Sequence, residues 1–120
     1  MNEFDLKART TQFALRIIKL FRSLPRSADA QVIGKQILRS GTSVGAQYRE
    51  ACRSRSDLEF ISKMTSSLQE LDETGYWLEL LAKSNIVKAE MLTDLRDETD
   101  QLTAIFVSSI KTTKAKRTIG

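Results

Sequence analysis

The sequence predicts an all-α chain, and three observations predict it. No segment alternates polar and apolar residues for long with β-branched enrichment, so strands are hard to place. Apolar residues instead recur at spacings of three and four over four stretches, the period of a helix face. One proline and five glycines leave few breaks in 120 residues. Helices of this kind joined by short polar breaks pack as an up-down-up-down four-helix bundle, with rods of roughly 30 to 40 Å at 1.5 Å per residue. Length fits one domain, expected over residues 1–110, with residues 111–120 as a frayed basic tail.

The first helix is expected from about Asp5 to Leu24, with Leu6, Thr10, Phe13, Ile17, Phe21 and Leu24 on one side. Pro25 stops it, because proline disfavours helical backbone at the preceding residue. Ser27 is placed to cap a second helix that runs to about Ala51, and Asp29 in its first turn suits the helix dipole. The middle of that helix, Ser40-Gly41-Thr42-Ser43-Val44-Gly45, is poor in helix formers. Its glycines suggest close approach of a neighbour rather than a kink.

Ser56-Asp57-Leu58-Glu59 is a capping box that opens the third helix. Ile61, Met64, Leu68, Leu71, Gly75, Leu78 and Ala82 follow as a heptad seam, and Asn85 suits a left-handed cap after it. The fourth helix, from about Lys88 to Ile110, carries Leu92, Leu95, Thr99, Leu102 and Phe106 on one face.

Charge is sorted along the chain. Residues 1–55 hold 11 Lys/Arg against 4 Asp/Glu, residues 56–110 hold 4 against 11, and the last ten hold 4 against none. On a wheel of the second helix, Ile33, Ile37, Gly41, Val44, Tyr48 and Ala51 share one face, and Lys35, Arg39, Arg49 and Arg53 line the opposite one. Arg55 follows in the loop, and Lys111, Lys114, Lys116 and Arg117 form the tail. Such a row can track the phosphates of RNA or DNA without reading sequence, since no aromatics interleave with it. It can equally meet the acidic third and fourth helices, within the chain or across subunits, and the sequence leaves both readings open. Glu73 is expected to pair with an arginine such as Arg39. A second apolar flank of the third helix, Trp77, Leu80 and Leu81, is a candidate subunit interface.

Enzyme chemistry finds little footing. Without histidine there is no Ser-His or Cys-His pair, and the Glu-x-x-His motif of di-metal bundles cannot be built. Neither a cofactor, a metal nor a small-molecule substrate is expected. The single cysteine, Cys52, reads as a small half-buried hydrophobe in a reducing, cytoplasmic setting. No stretch approaches the ~18 apolar residues of a membrane helix, and the polar start Met1-Asn2-Glu3-Phe4-Asp5 is unlike a signal peptide.

Two blocks carry a resemblance. Gln36-Ile37-Leu38-Arg39-Ser40-Gly41-Thr42-Ser43-Val44-Gly45-Ala46-Gln47-Tyr48-Arg49-Glu50-Ala51 and Glu73-Thr74-Gly75-Tyr76-Trp77-Leu78-Glu79-Leu80-Leu81 resemble the signature of the bacterial 23S rRNA intervening-sequence proteins. The likeness extends from about Leu6 to Lys111. It implies a left-handed four-helix bundle, a homopentameric ring without enzymatic activity, and a supposed role in binding RNA. A related group, the accessory variability proteins of diversity-generating retroelements, engages nucleic acid and a reverse transcriptase, which makes both possible partners by analogy. By position, Arg39, Ser43, Gln47, Glu50, Glu73, Tyr76 and Trp77 are the characteristic residues, and most read as structural. The chain departs from the pattern at Gln47, where the family usually has asparagine.

Overall fold

Four α-helices and no strand occur among the described residues, which are residues 5–119, with side chains through Arg117, of a computed structural model. The expected acidic start, residues 1–4, and the last residue of the tail, Gly120, lie outside them. The helices are α1 (Leu6–Ser23), α2 (Ala28–Cys52), α3 (Asp57–Lys83) and α4 (Ala89–Ile119). No described helix is long and apolar enough to cross a membrane.

Local chemistry sets the helix ends. The Asp5 carboxylate accepts from the Ala8 amide at 3.2 Å to open α1, and Leu24 turns extended before Pro25 to close it. Ser27 occupies the cap position of α2 but makes no capping bond. Its hydroxyl instead bonds Asp29, the main reason that carboxyl lies below its usual range. Ser56 Oγ accepts from the Glu59 amide at 3.1 Å, while the Glu59 side chain reaches back to the Arg55 amide rather than to that of Ser56. Asn85, at φ 62°, is the one non-glycine residue with positive φ among those described, as its place after α3 suggests.

Helix α4 does not stop at Ile110; the basic segment continues it to Ile119. Nothing between Lys111 and Ile119 breaks a helix, Thr113 Oγ1 donates to the Ser109 carbonyl at 3.0 Å, and cations suit a helix C-terminus. Lys116 Nζ lies 3.7 Å from Asp57 Oδ1, which brings the segment beside the start of α3.

Helices adjacent in sequence pack together, and their contacts run in opposite directions along each pair. On α1 and α2, Phe21 meets Gly34, Ile17 meets Gly41 and Thr10 meets Gly45. On α2 and α3, Arg39 meets Glu73, Val44 meets Ser67 and Glu50 meets Lys63. Thr99 of α4 meets Gly75, and Lys116 meets Asp57. The closing α1–α4 side is thinner, and its one ion pair among the described residues is Arg9–Glu98 at 2.7 Å. The result is a rod of 53 × 25 × 21 Å.

The α1–α2 contact depends on missing side chains. A Cβ at Gly41 would stand 2.7 and 2.9 Å from the two γ carbons of Ile17, and one at Gly34 would stand 2.7 Å from Leu24 Cδ1. Each glycine costs α2 up to about 1 kcal/mol of helix propensity. What it gains is burial of Phe13, Ile17 and Leu24 against α2. Gly75 differs, because its added Cβ meets only Thr99 Cγ2 at 3.7 Å, an ordinary contact. Gly75→Ala is therefore expected to raise stability by about 0.5–1 kcal/mol in urea unfolding, through helix propensity alone.

Helix α3 is buried on two sides. Met64, Leu71 and Leu78 form its fully buried centre, as the heptad reading expects. Their flank toward α2 is Ser67, Thr74 and Leu81, all at 0% exposure. This polar layer is satisfied. Ser67 Oγ donates to the Val44 carbonyl at 2.7 Å. Thr74 donates to the Glu70 carbonyl at 2.8 Å, so Ser40 is left as donor in the 2.8 Å bond between the Ser40 and Thr74 hydroxyls.

Candidate functional site

The cation stripe of α2 does not act as one unit. Arg39 turns to α3, with Nη1 3.3 Å from Glu70 and Nη2 3.2 Å from Glu73. The Glu73 pairing is the one expected; Glu70 is the member that sequence reasoning missed, and it is the buried one, at 10% side-chain exposure. Burial holds the Glu70 carboxyl above its ordinary range, and a hydrogen bond with Glu73 adds to this while Arg39 opposes it. Glu73 lies below its ordinary range, chiefly through that same bond with Glu70. Arg39 is thereby ion-paired within the chain, although its side chain stays 52% exposed. The signal for Glu70 was its spacing, three residues from both Ser67 and Glu73.

Arg49 Nη2 reaches the Thr11 hydroxyl of α1 at 3.3 Å, while Lys35 and Arg53 are exposed without an ion pair among the described residues. Arg53 caps α2, and Arg55 projects from the following turn. With Glu50, Glu59 and Lys63 they line an open cleft of about 540 Å³. Lys63 is tied to Glu50 at 3.3 Å. The extension of α4 brings Lys111, Lys114, Lys116 and Arg117, all exposed, to this same end of the rod. Around the α2–α3 turn and the last turns of α4, seven cations (Arg53, Arg55, Lys63, Lys111, Lys114, Lys116, Arg117) thus face three acids, Glu50, Asp57 and Glu59.

The expected apolar flank of α3 is narrower than its sequence suggests. Leu81 is fully buried in the chain's own core and offers no surface, because it lies toward α2 with Thr74 and Leu78. Trp77 and Leu80 are half-buried, and Tyr76, at 53% exposure, packs against Trp77 in a tilted contact with ring centroids 5.2 Å apart. Trp77 Nε1 and Gln47 Oε1 are buried without hydrogen-bond partners. Arg39, Ser43, Gln47 and Glu50 form one stripe on α2, whose Arg39 and Glu50 meet Glu70, Glu73 and Lys63 on α3, and Ser43 Oγ donates to the Arg39 carbonyl at 2.7 Å. Cys52 is exposed, not half-buried: it follows Ala51 and lies about 100° round α2 from the core stripe. Burial of Tyr48 pushes its phenol above the usual range, helped by a hydrogen bond with Cys52.

An all-α chain of four helices with a polar seam between its second and third is the class of protein these features define. The chain belongs to the 23S rRNA-intervening sequence protein family, whose profile matches residues 2–108. It is similar to a protein with unknown function from the S23 ribosomal protein family of Bacteroides thetaiotaomicron VPI-5482. That crystal structure shares 38% identity over 88% of this chain and 97% of the other, with a TM-score of 0.82. No curated protein matches the chain.

Proposed function

We propose that this protein is a non-enzymatic, oligomeric bundle of the cytoplasm that binds RNA or DNA through phosphate contacts at its basic end. The monomer is an up-down-up-down, left-handed bundle in this reading, and the assembly is a homopentamer by family analogy. The carrying observation is that the Lys116–Asp57 pair brings the helical Lys111–Arg117 segment to the end of the rod that holds Arg53 and Arg55. A group of exposed cations with few acids suits the nucleic-acid backbone and carries no means of reading bases. Arg49 and Arg53 along α2 extend the positive surface; Arg39 does not.

Titration of a labelled structured RNA at several salt concentrations tests this. Four neutralised phosphates give a log–log slope of about −3 to −4. Reversal of Arg53, Arg55 and Lys111 to Glu is expected to remove most of that slope and weaken binding at least ~100-fold at low salt. Salt-insensitive or absent binding by the wild type refutes the reading. A protein-interaction scaffold is the second reading, favoured by the engagement of Arg39 and Arg49 with neighbouring helices. It predicts no RNA affinity and altered assembly on charge reversal along α2. A reverse transcriptase is a partner to test only if the gene lies beside one.

A further inference from the structure

We infer that the oligomer of the proposed function is built head to tail, the α1–α2 face of one copy docking on the α3–α4 face of the next. The charge that is sorted along the sequence becomes sorted across the rod. Helix α1 carries Lys7, Arg9, Arg16, Lys19 and Arg22 and no acid. Only Arg9 is ion-paired among the described residues, and Arg16, Lys19 and Arg22 are exposed. On α2, exposed Lys35 lies on the side opposite the core stripe. The other face is acidic: Asp72 on α3 and Glu90, Asp94, Asp97 and Asp100 on α4 are exposed, with Arg96 as the one cation among the α4 acids. The basic α1 and the acidic opening turns of α4 sit in one chain yet, among the described residues, form an ion pair only at Arg9–Glu98. Each face also presents an apolar side chain amid its charges, Leu15 at 51% exposure on α1 and Tyr76 at 53% on α3.

The two patches lie at one height along the rod. Ile17 and Phe21 of α1 meet Gly41 and Gly34 of α2; Arg39, between those glycines, meets Glu73; Gly75, two residues on, meets Thr99. A copy therefore docks on the next with little shift along the helix axes. A contact between two different faces closes into a ring when it has no axial rise and its rotation divides the full circle, and otherwise gives an open array. The basic end that holds Arg53, Arg55 and the end of α4 lies beyond this band and stays free for nucleic acid.

The test is molar mass by light scattering of the full chain at tens of micromolar, over a salt series, with circular dichroism to verify folding. Lys19→Glu with Arg22→Glu reverses one face, and Asp97→Lys with Asp100→Lys reverses the other. Each pair alone is expected to weaken self-association roughly 100-fold, because like charges then meet across the contact. Combining all four substitutions in one chain restores opposite charges at every contact and with them the mass. A monomeric wild type overturns the oligomer reading and this contact with it. An oligomeric wild type whose mass neither double variant changes overturns the contact alone. Loss without recovery in the fourfold variant also overturns it, since a merely disturbed surface gives that result.

Discussion

Gly41→Val is expected to cost about 3 kcal/mol or more, a large part of the stability of a domain this size. The Cβ alone would sit 2.7 Å from Ile17 Cγ1, and Ile17 is at 0% exposure with no room to retreat. The added γ carbons must displace α1 from α2. Little else holds α1, because its side toward α4 is thin. A double-mutant cycle isolates the effect. Ile17→Ala alone removes both crowding carbons and leaves a cavity, at a cost of about 2–5 kcal/mol. Added to it, Gly41→Ala places a methyl in that space and improves helix propensity, so the double variant is expected to unfold at higher urea than Ile17→Ala alone. Gly41→Ala in the wild-type background lowers the midpoint or gains far less. Additive effects would mean that the close approach at Gly41 does not control the fold.

That contact was legible in the sequence because a helix interior carrying two glycines needs a reason, and close packing was the simplest one. Stripes of large apolar residues were legible for the same cause: Phe13 and Ile17 on α1, and Leu92, Leu95, Leu102 and Phe106 on α4, are buried as their spacing requires. Small polar core positions were not. Ser40, Ser67 and Thr74 look like surface until their hydroxyls find carbonyls and one another across the α2–α3 contact, and no periodicity of hydrophobicity records that. The heptad seam marks only the α4-facing half of α3, which leaves Leu81 outside it; with the α2-facing half included, Leu81 falls inside. Residues 111–120 have no apolar periodicity and so look like a tail in the sequence, yet the absence of breakers prolongs a helix already nucleated by packing as far as Ile119. For function, the count of charge was legible but its grouping was not. Only the fold separates Arg39, bound to Glu70 and Glu73, from Arg53 and Arg55, which gather with the end of α4.

The Arg39 grouping yields the second large effect, and it depends on pH. Arg39→Ala leaves Glu70 buried beside Glu73 without a cation. Breaking a buried pair costs several kcal/mol, but Arg39 is 52% exposed, so solvent screening reduces the expected loss to about 2 kcal/mol at pH 8. The sign follows from proton binding. Glu70 is held above its unfolded value, so between the two values the native state binds the proton that the unfolded chain has lost, and stability falls as pH rises through that window. Glu73, held below its ordinary value, contributes stability that is present above that value and lost as pH falls toward the lowered one. Arg39 lowers both carboxyls, so its removal moves both upward: the Glu70 penalty grows on the alkaline side and the Glu73 contribution shrinks. The cost of Arg39→Ala is thus expected to be largest at pH 8 and to diminish by half or more as the pH is lowered through the window in which Glu70 binds its proton and needs no cation. Glu70→Gln in the same background removes the buried charge and should recover most of the loss at pH 8, as measured by urea unfolding at pH 8 and below that window. A cost that is equal at both, or that Glu70→Gln does not reduce, would show that Arg39 acts through packing of its stem rather than through the buried acid.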